Sequence, residues 1–575
     1  MKSNQEIAQH LNDIAALYEY SNQNWKSRAY LNAATLLMGR FDGLPFDDTG
    51  YLQEKLPGVG ASIQGTIEEF NWYGKSGKLK SLLKKGGPPP SLRQLERIPM
   101  LGPKTSIKIW KELKITNLAD FEKKLKKVEN SDFAKFIPGF WQIKDASERL
   151  PTGLVKATMN PILLPLTDLG IKWEYAGSAR RGSETVRDID VIVCLKTPKQ
   201  KEVVKGYLEQ TLGLVPYKKR GEHKWGIDVP IAGQTITLDL NFCEPAYYGA
   251  YLNYFTGSKD FNEVLRTYAK ARGFRINEYG IFKQSNLEKS LGGEYEEDLF
   301  EALKIPWVPP ECRNGEALDA NIDWDKLITE KDIVADLHCH SIHSDGSATW
   351  DQLFKAADKQ KLKFLGITDH SSGSGNGPKP DKSKKLVSQF ETWCETNVKM
   401  WCAYGHEIDV KTNKQLDYAP DLIANLDYFL ISAHHSPQIN LTERYIAAMY
   451  AHPKMAKIIA HPTNRSISGR LPAEANWSKI FEVCRQTNTV LEINGQPDRQ
   501  DLPPDLARKA QESGVKFAIN SDCHGTNFRK LLSVGVQCAR RGWILKENVI
   551  NTNLKTLNSW LEGKLYRERG PKNDK

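Results

Sequence analysis

Residues 188–195 read "DIDVIVCL". The β-branched residues Ile189, Val191, Ile192 and Val193 make this a short buried strand. Asp188 and Asp190 stand at its mouth. In a strand, residues i and i+2 share a face, roughly 6.6 Å apart, so the two carboxylates repel each other unless a cation lies between them. Either one of them pairs with a nearby arginine, or both hold a divalent metal. The second arrangement requires a third carboxylate and an anionic substrate.

A chain of 575 residues exceeds what one core supports and divides into three or four domains. With 40% hydrophobic and 26% charged residues, the composition is that of a soluble globular protein. The sequence contains neither a run of 18 apolar residues nor a charged-then-apolar leader, so no membrane partner and no secretion are expected. Its 9 cysteines form no C-x-x-C pair, which predicts reduced thiols and a cytoplasmic protein. The net charge of +10 is uneven: residues 1–150 carry 23 Lys and Arg against 17 Asp and Glu, whereas residues 151–330 carry 23 against 26. A basic front beside an acidic middle fits a polyanion grip next to a metal site, with nucleic acid as the candidate partner.

The stretch "KKGGPPPS" (84–91) cannot continue a helix and separates residues 1–85 from 86–150. On its two sides, "LPGVGASIQGTIEEF" (56–70) and "IPMLGPKTSIKIWKEL" (98–113) share one frame. Their resemblance is to a helix–hairpin–helix repeat, in which glycines turn the backbone so that amides at a helix start face a phosphate. Gly58, Gly60, Gly102 and Lys104 are the candidate DNA contacts. Met100 replaces the usual glycine in the second copy. From 151 to 310 short strands alternate with helices. The stretch "IPWVPPECRNGEALDA" (305–320), rich in Pro and turn residues, marks a second boundary with 311–332 as linker, and 333–575 is a longer strand–helix alternation, a barrel-like α/β domain.

The third carboxylate is available as Asp239 in "TITLDLNF". Three carboxylates on adjacent strands can hold two Mg²⁺ or Mn²⁺ ions for in-line phosphoryl transfer. Upstream, "AGSARRG" offers a Gly-Ser turn and two guanidinium groups, a cradle for a triphosphate. The set G-S-x-R-R-G-x-E-x-V-x-D-I-D, "LDLNF" and "YFTGSKDFNEVLR" resembles the family X DNA polymerases. That resemblance implies a nucleotidyltransferase fold with Asp188, Asp190 and Asp239 as catalytic metal ligands, Asp239 nearest the primer 3′-hydroxyl. It further implies that Gly177, Ser178 and Arg181 hold the dNTP phosphates, that Tyr254 and Phe255 pack on the sugar, and that Gly257 belongs to the nucleotide site. Asp260 and Asn262 would flank the base, and Arg266 would follow the nascent pair. Thr66 stands where animal repair members carry the lysine that cleaves 5′-deoxyribose phosphate, and threonine forms no imine.

In "DLHCHSIHSDG" (336–346), His338 and His340 are expected on one strand face, with Asp345 in the turn. His370, Glu407, His434, His461, Asp522 and His524 recur at the ends of later strand-like runs. A lone histidine there is ordinary; recurrence at successive strand ends is a metal cluster, and these residue types suit Zn²⁺, Mn²⁺ or Fe, two or three ions in all. The pattern resembles the polymerase-and-histidinol-phosphatase (PHP) domain that bacterial and archaeal family X polymerases carry. The resemblance implies a distorted (β/α)7 barrel with 3′→5′ exonuclease, 3′-end-cleaning or abasic-site activity. His343 and His435 are read as bystanders, and Arg465 and Arg470 as phosphate contacts or surface ion pairs. The whole reading is a multidomain α and α/β enzyme, a monomer, that fills gaps in gapped or primer-template DNA from dNTPs. The alternative is a PHP phosphoesterase with an untemplated nucleotidyltransferase.

Overall fold

The computed structural model describes residues 2, 4–21, 23–38, 59–98, 101–213, 217–397, 399–467 and 470–562. The chain divides into two compact units, Met1–Glu148 and Arg149–Lys575. Among the described residues, no helix is long and apolar enough to cross a membrane.

The first unit is helical. Helix α1 (Asn4–Tyr20) packs its apolar stripe (Ile7, Leu11, Ile14, Tyr18) against α2 (Asn24–Met38) and against Ile63 and Ile67 of α3 (Ala61–Tyr73). Helix α4 (Gly77–Lys84) stops before the Gly-Pro stretch, and α5 (Pro103–Leu113) belongs to a second core with Leu92, Leu95 and Phe121. Helices α3 and α5 begin at Gly60 and Gly102, with no side-chain cap at either. Both glycines are extended (φ −72° and −89°), a conformation open to any residue, so backbone strain does not require glycine here. A Cβ at either would meet nothing within 4 Å.

The second unit opens with a five-stranded sheet: β1 (Lys172–Tyr175), β2 (Asp188–Cys194), β3 (Tyr217–Arg220), β4 (Lys224–Ile231) and β5 (Gln234–Cys243), in the order β1-β2-β5-β4-β3. The β2–β5 pair is parallel and the others are antiparallel. Ile189, Val191 and Val193 of β2 join Leu238, Leu240 and Phe242 of β5 in one core. Alternation therefore turns Asp188, Asp190 and Asp239 to the other face. Helix α6 (Gly177–Arg180) lies between β1 and β2, and α7 (Tyr248–Thr256) and α8 (Lys259–Ala271) follow β5.

The barrel consists of β6 (Ala335–Asp336), β7 (Phe364–His370), β8 (Trp401–Asp409), β9 (Tyr428–Ser432), β10 (Lys457–Ile459), β11 (Val490–Asn494) and β12 (Phe517–Asn520), seven parallel strands in sequence order. The bridge Cys339↔Cys523 brings the first and last strands together beyond their ends and nearly closes it. Strand β6 stops at Asp336, so His338 and His340 lie on an extension past it and not within a strand. This barrel shares apolar packing with the polymerase-like part: Trp543 meets Trp324 edge-to-face at 5.4 Å in a cluster that also holds Ala250, Phe261 and Leu265.

Candidate active sites

The parallel register of β2 and β5 sets Asp190 beside Asp239. Burial and the like charges of Asp188 and Asp239 push the Asp190 carboxyl up to about 6, against the pull of Lys224 and Arg181. The Lys224 ammonium already sits 2.7 Å from Asp239. Crowded carboxylates on one face, partly neutralised by a lysine, are the oxygen donor set that Mg²⁺ or Mn²⁺ takes, and the residues fit such an ion. Gly177 starts α6 at φ +56°, and a Cβ there would lie 2.4 Å from Asp190 Oδ2. This glycine is required, both for its left-handed backbone and for the close approach.

A cleft of about 640 Å³ opens over these residues, lined by Gly177, Ser178, Arg181, Asp188, Asp190, Tyr254, Phe255, Gly257, Asn262 and Arg266. Arg181 donates to the Thr256 carbonyl, which ties α6 to the end of α7. Asn262 donates to the Tyr254 carbonyl at 2.7 Å, while its own Oδ1 is buried without a partner and free to accept from a ligand. Asp260 is a correction to the expected set. Its carboxylate accepts from Gly315 N at 2.7 Å and from Ser258, away from the cleft, and Lys259 and Glu263 line the cleft in its place. Arg149 and Arg187 also line it and were not anticipated.

In the barrel, His338, His340, Asp345, His370, Glu407, His434, His461, Asp522 and His524 converge. Three overlapping groups each bring their ligand atoms within 4.8 Å of one another: His340 with Asp345, His370 and His524; His338 with His340 and Asp522; and His370 with Glu407 and His434. His461 Nε2 lies 2.7 Å from Glu407. Both Glu407 oxygens and the Nδ1 atoms of His340, His370 and His461 are buried without hydrogen-bond partners. Carboxylate oxygens and imidazole nitrogens buried this close together need protons or cations between them, and this donor set fits a metal cluster. Against the cost of burial, Glu407 and Asp345 lift His370 to about 10. Burial, with His370 and His524 alongside, lowers His340 to about 4. His338 donates its Nδ1–H to Glu492 at 2.7 Å, a buried carboxylate that also accepts from Asn520, Asn494 and the His461 amide. Such an outer partner fixes a ligating imidazole's orientation. A glutamate inside the apolar run "VLEIN" was the sequence signal for it. His343 meets Trp350 in a tilted ring contact and His435 contacts the Gly373 carbonyl, both outside the set.

Residues 251–314 match the DNA polymerase beta thumb family model, and 336–496 match the PHP domain model. The chain is 31% identical to DNA polymerase/3′-5′ exonuclease PolX of Bacillus subtilis (strain 168), over 97% of this chain and 99% of the relative. This chain belongs to the family X DNA polymerases that carry a PHP domain. The rat DNA polymerase lambda is 24% identical over 54% of the chain and 56% of its own length. A Thermoanaerobacter sp. (strain X514) protein named "Probable phosphatase" is 25% identical over 40% of the chain and 96% of its own length.

Three further features of this family X polymerase stand apart from the two carboxylate and histidine clusters. Gly58 and Met100 lie outside the described residues; Gly60, Gly102 and the exposed Lys104 stand at two uncapped helix starts. Thr66 is buried, and its hydroxyl donates to the Ser62 carbonyl at 2.9 Å. Arg465 is committed to the polymerase core: it donates to Glu184 at 2.7 and 3.2 Å, and Arg541 adds a third bond at 3.0 Å. Arg465 also holds the Arg499 carbonyl at 2.9 Å, and Arg499 Nε reaches within 3.8 Å of Asp522 at the mouth of the histidine cluster.

Proposed function

We propose that this family X polymerase fills short gaps in DNA during repair, adding nucleotides from dNTPs to a primer 3′ end, and that its PHP domain removes nucleotides from 3′ ends. The observation that carries the reading is the in-register placement of Asp190 beside Asp239, with Asp188 on the same face, under a cleft floored by the Gly177–Arg181 turn. Arg181 and the Gly177–Ser178 amides orient the triphosphate, and Tyr254 and Phe255 face the sugar. Asn262 Oδ1 and Arg266 meet the incoming nucleotide and the nascent pair. Mg²⁺ or Mn²⁺ held by Asp188, Asp190 and Asp239 would lower the pKa of the primer hydroxyl and offset charge on the leaving pyrophosphate. Asp239, tied to Lys224, sits on the primer side. In the barrel, two or three Zn²⁺, Mn²⁺ or Fe ions held by the histidine–carboxylate set would activate water against a phosphodiester. Abasic-site cleavage belongs to the same chemistry.

The test is a labelled gapped duplex with and without dNTPs. Asp190→Ala is expected to lower extension by about a hundredfold or more, the order seen when a transition-state electrostatic contact is lost, while 3′ degradation continues. The double variant His338→Ala/His340→Ala should show the reverse. Equal loss of both activities in a folded variant rejects the two-site reading.

A further inference from the structure

We propose that the arginine-lined cleft between the polymerase core and the PHP domain binds inorganic pyrophosphate, the leaving group of nucleotide addition; the proposal rests on the polymerase reading above. This second cleft, of about 410 Å³, is bordered by Arg149 and Arg181 of the core, Arg313 of the connecting segment, and Arg465 and Arg541 of the barrel. Its carboxylates are Glu184, Glu311 and Asp505. Five guanidinium groups against three carboxylates leave the lining positive, and it stays positive after Glu296, which pairs with Arg313 from outside, is counted.

Each nitrogen of Arg465 is engaged, by Glu184 and the Arg499 and Gln500 carbonyls, but two of the other arginines are not used up by their protein partners. Arg313 Nη2 and Arg541 Nε are buried with nothing to donate to. A buried guanidinium N–H without an acceptor is costly, and phosphate oxygens match its forked geometry. Arg149 and Arg181 line this cleft and the nucleotide cleft alike. A diphosphate leaving Arg181 therefore meets the second arginine group as its next cationic neighbour. Released pyrophosphate would be held away from the carboxylates, which would slow the reverse reaction.

The experiment titrates the full-length protein with sodium pyrophosphate by calorimetry in EDTA. Chelation removes metal-dependent binding at the three aspartates and leaves the arginines unaffected. Wild type is expected to bind one pyrophosphate. Arg541→Ala should bind roughly tenfold more weakly, the loss of one charge-assisted hydrogen bond. Because Arg541→Ala also removes a partner of Glu184, Pro504→Glu serves as a second variant. Residue 504 borders the cleft at the first turn of the helix Pro504–Glu512, where an added carboxylate is tolerated and would repel the ligand, again roughly tenfold. No binding in EDTA, or equal affinity across wild type, Arg541→Ala and Pro504→Glu, overturns the proposal. If pyrophosphate binds as described but wild type fills no gap, the cleft stands and the polymerase reading fails.

Discussion

Glu296 is 4% exposed and shares its carboxylate between two guanidinium groups, Arg180 at 2.9 Å and Arg313 at 2.6 Å. Burial alone would raise its pKa; Arg313 and Arg180 outweigh it and hold the group at about 2, from an ordinary 4.5. A depressed folded-state pKa gives stability that is complete above about 4.5 and is lost as pH falls through 2, about 3 kcal/mol over that window. Glu296→Gln leaves the buried Arg313 and the half-buried Arg180 without this counter-charge and should cost about 3–5 kcal/mol at pH 7. Denaturant unfolding of both proteins should show that gap shrinking as pH drops from about 4.5 toward 2; a gap independent of pH would exclude the assignment. The paired aspartates were legible from residue type and spacing and the histidine set from recurrence at strand ends, and the structure brings each set together. Asp260 was misplaced because one step along a helix rotates a side chain by about 100°. That step turns Asp260 toward Gly315 and gives the cleft to Lys259.

At the scale of the element, the β2–α6 contact is the tightest constraint in the polymerase cleft. Gly177→Ala would force a methyl group into Asp190 Oδ2 and hold an alanine at positive φ, a strain of about 1–2 kcal/mol. On the proposed role of Asp190, displacing its carboxylate by about 1 Å is expected to cost roughly a hundredfold in gap filling, with 3′ degradation unchanged. Steady-state extension and degradation assays on one preparation check both halves. The strands themselves were legible from alternation and β-branching. Two features were not. Strand β6 ends at Asp336 because the following residues are held by contacts near Cys523, a long-range pairing that no local pattern encodes. Gly60 and Gly102 suggested turns that only glycine can make, yet the backbone there is extended; what the glycines leave is open space at the helix starts.

For the molecule as a whole, residues 149–575 form one compact unit, although the sequence punctuation at 311–332 suggests a linker between separable domains. The cause is side-chain pairing across that segment: Trp543 against Trp324, and Glu184 between Arg465 and Arg541. A chain ending at Asp332 would expose the thumb cluster and strip Glu184 of both cations. Burial of one such side chain is worth about 1.5–3 kcal/mol. The truncated protein should melt at lower temperature and lose gap filling along with the nuclease. Thermal unfolding and extension assays on residues 1–332 measure this, and wild-type extension by that fragment would contradict the shared core. The indole of Trp543 therefore makes the two halves a single inheritance. A premature stop codon in the barrel would silence the polymerase as well, so a lineage could shed trimming and keep synthesis only through missense changes in the histidine set.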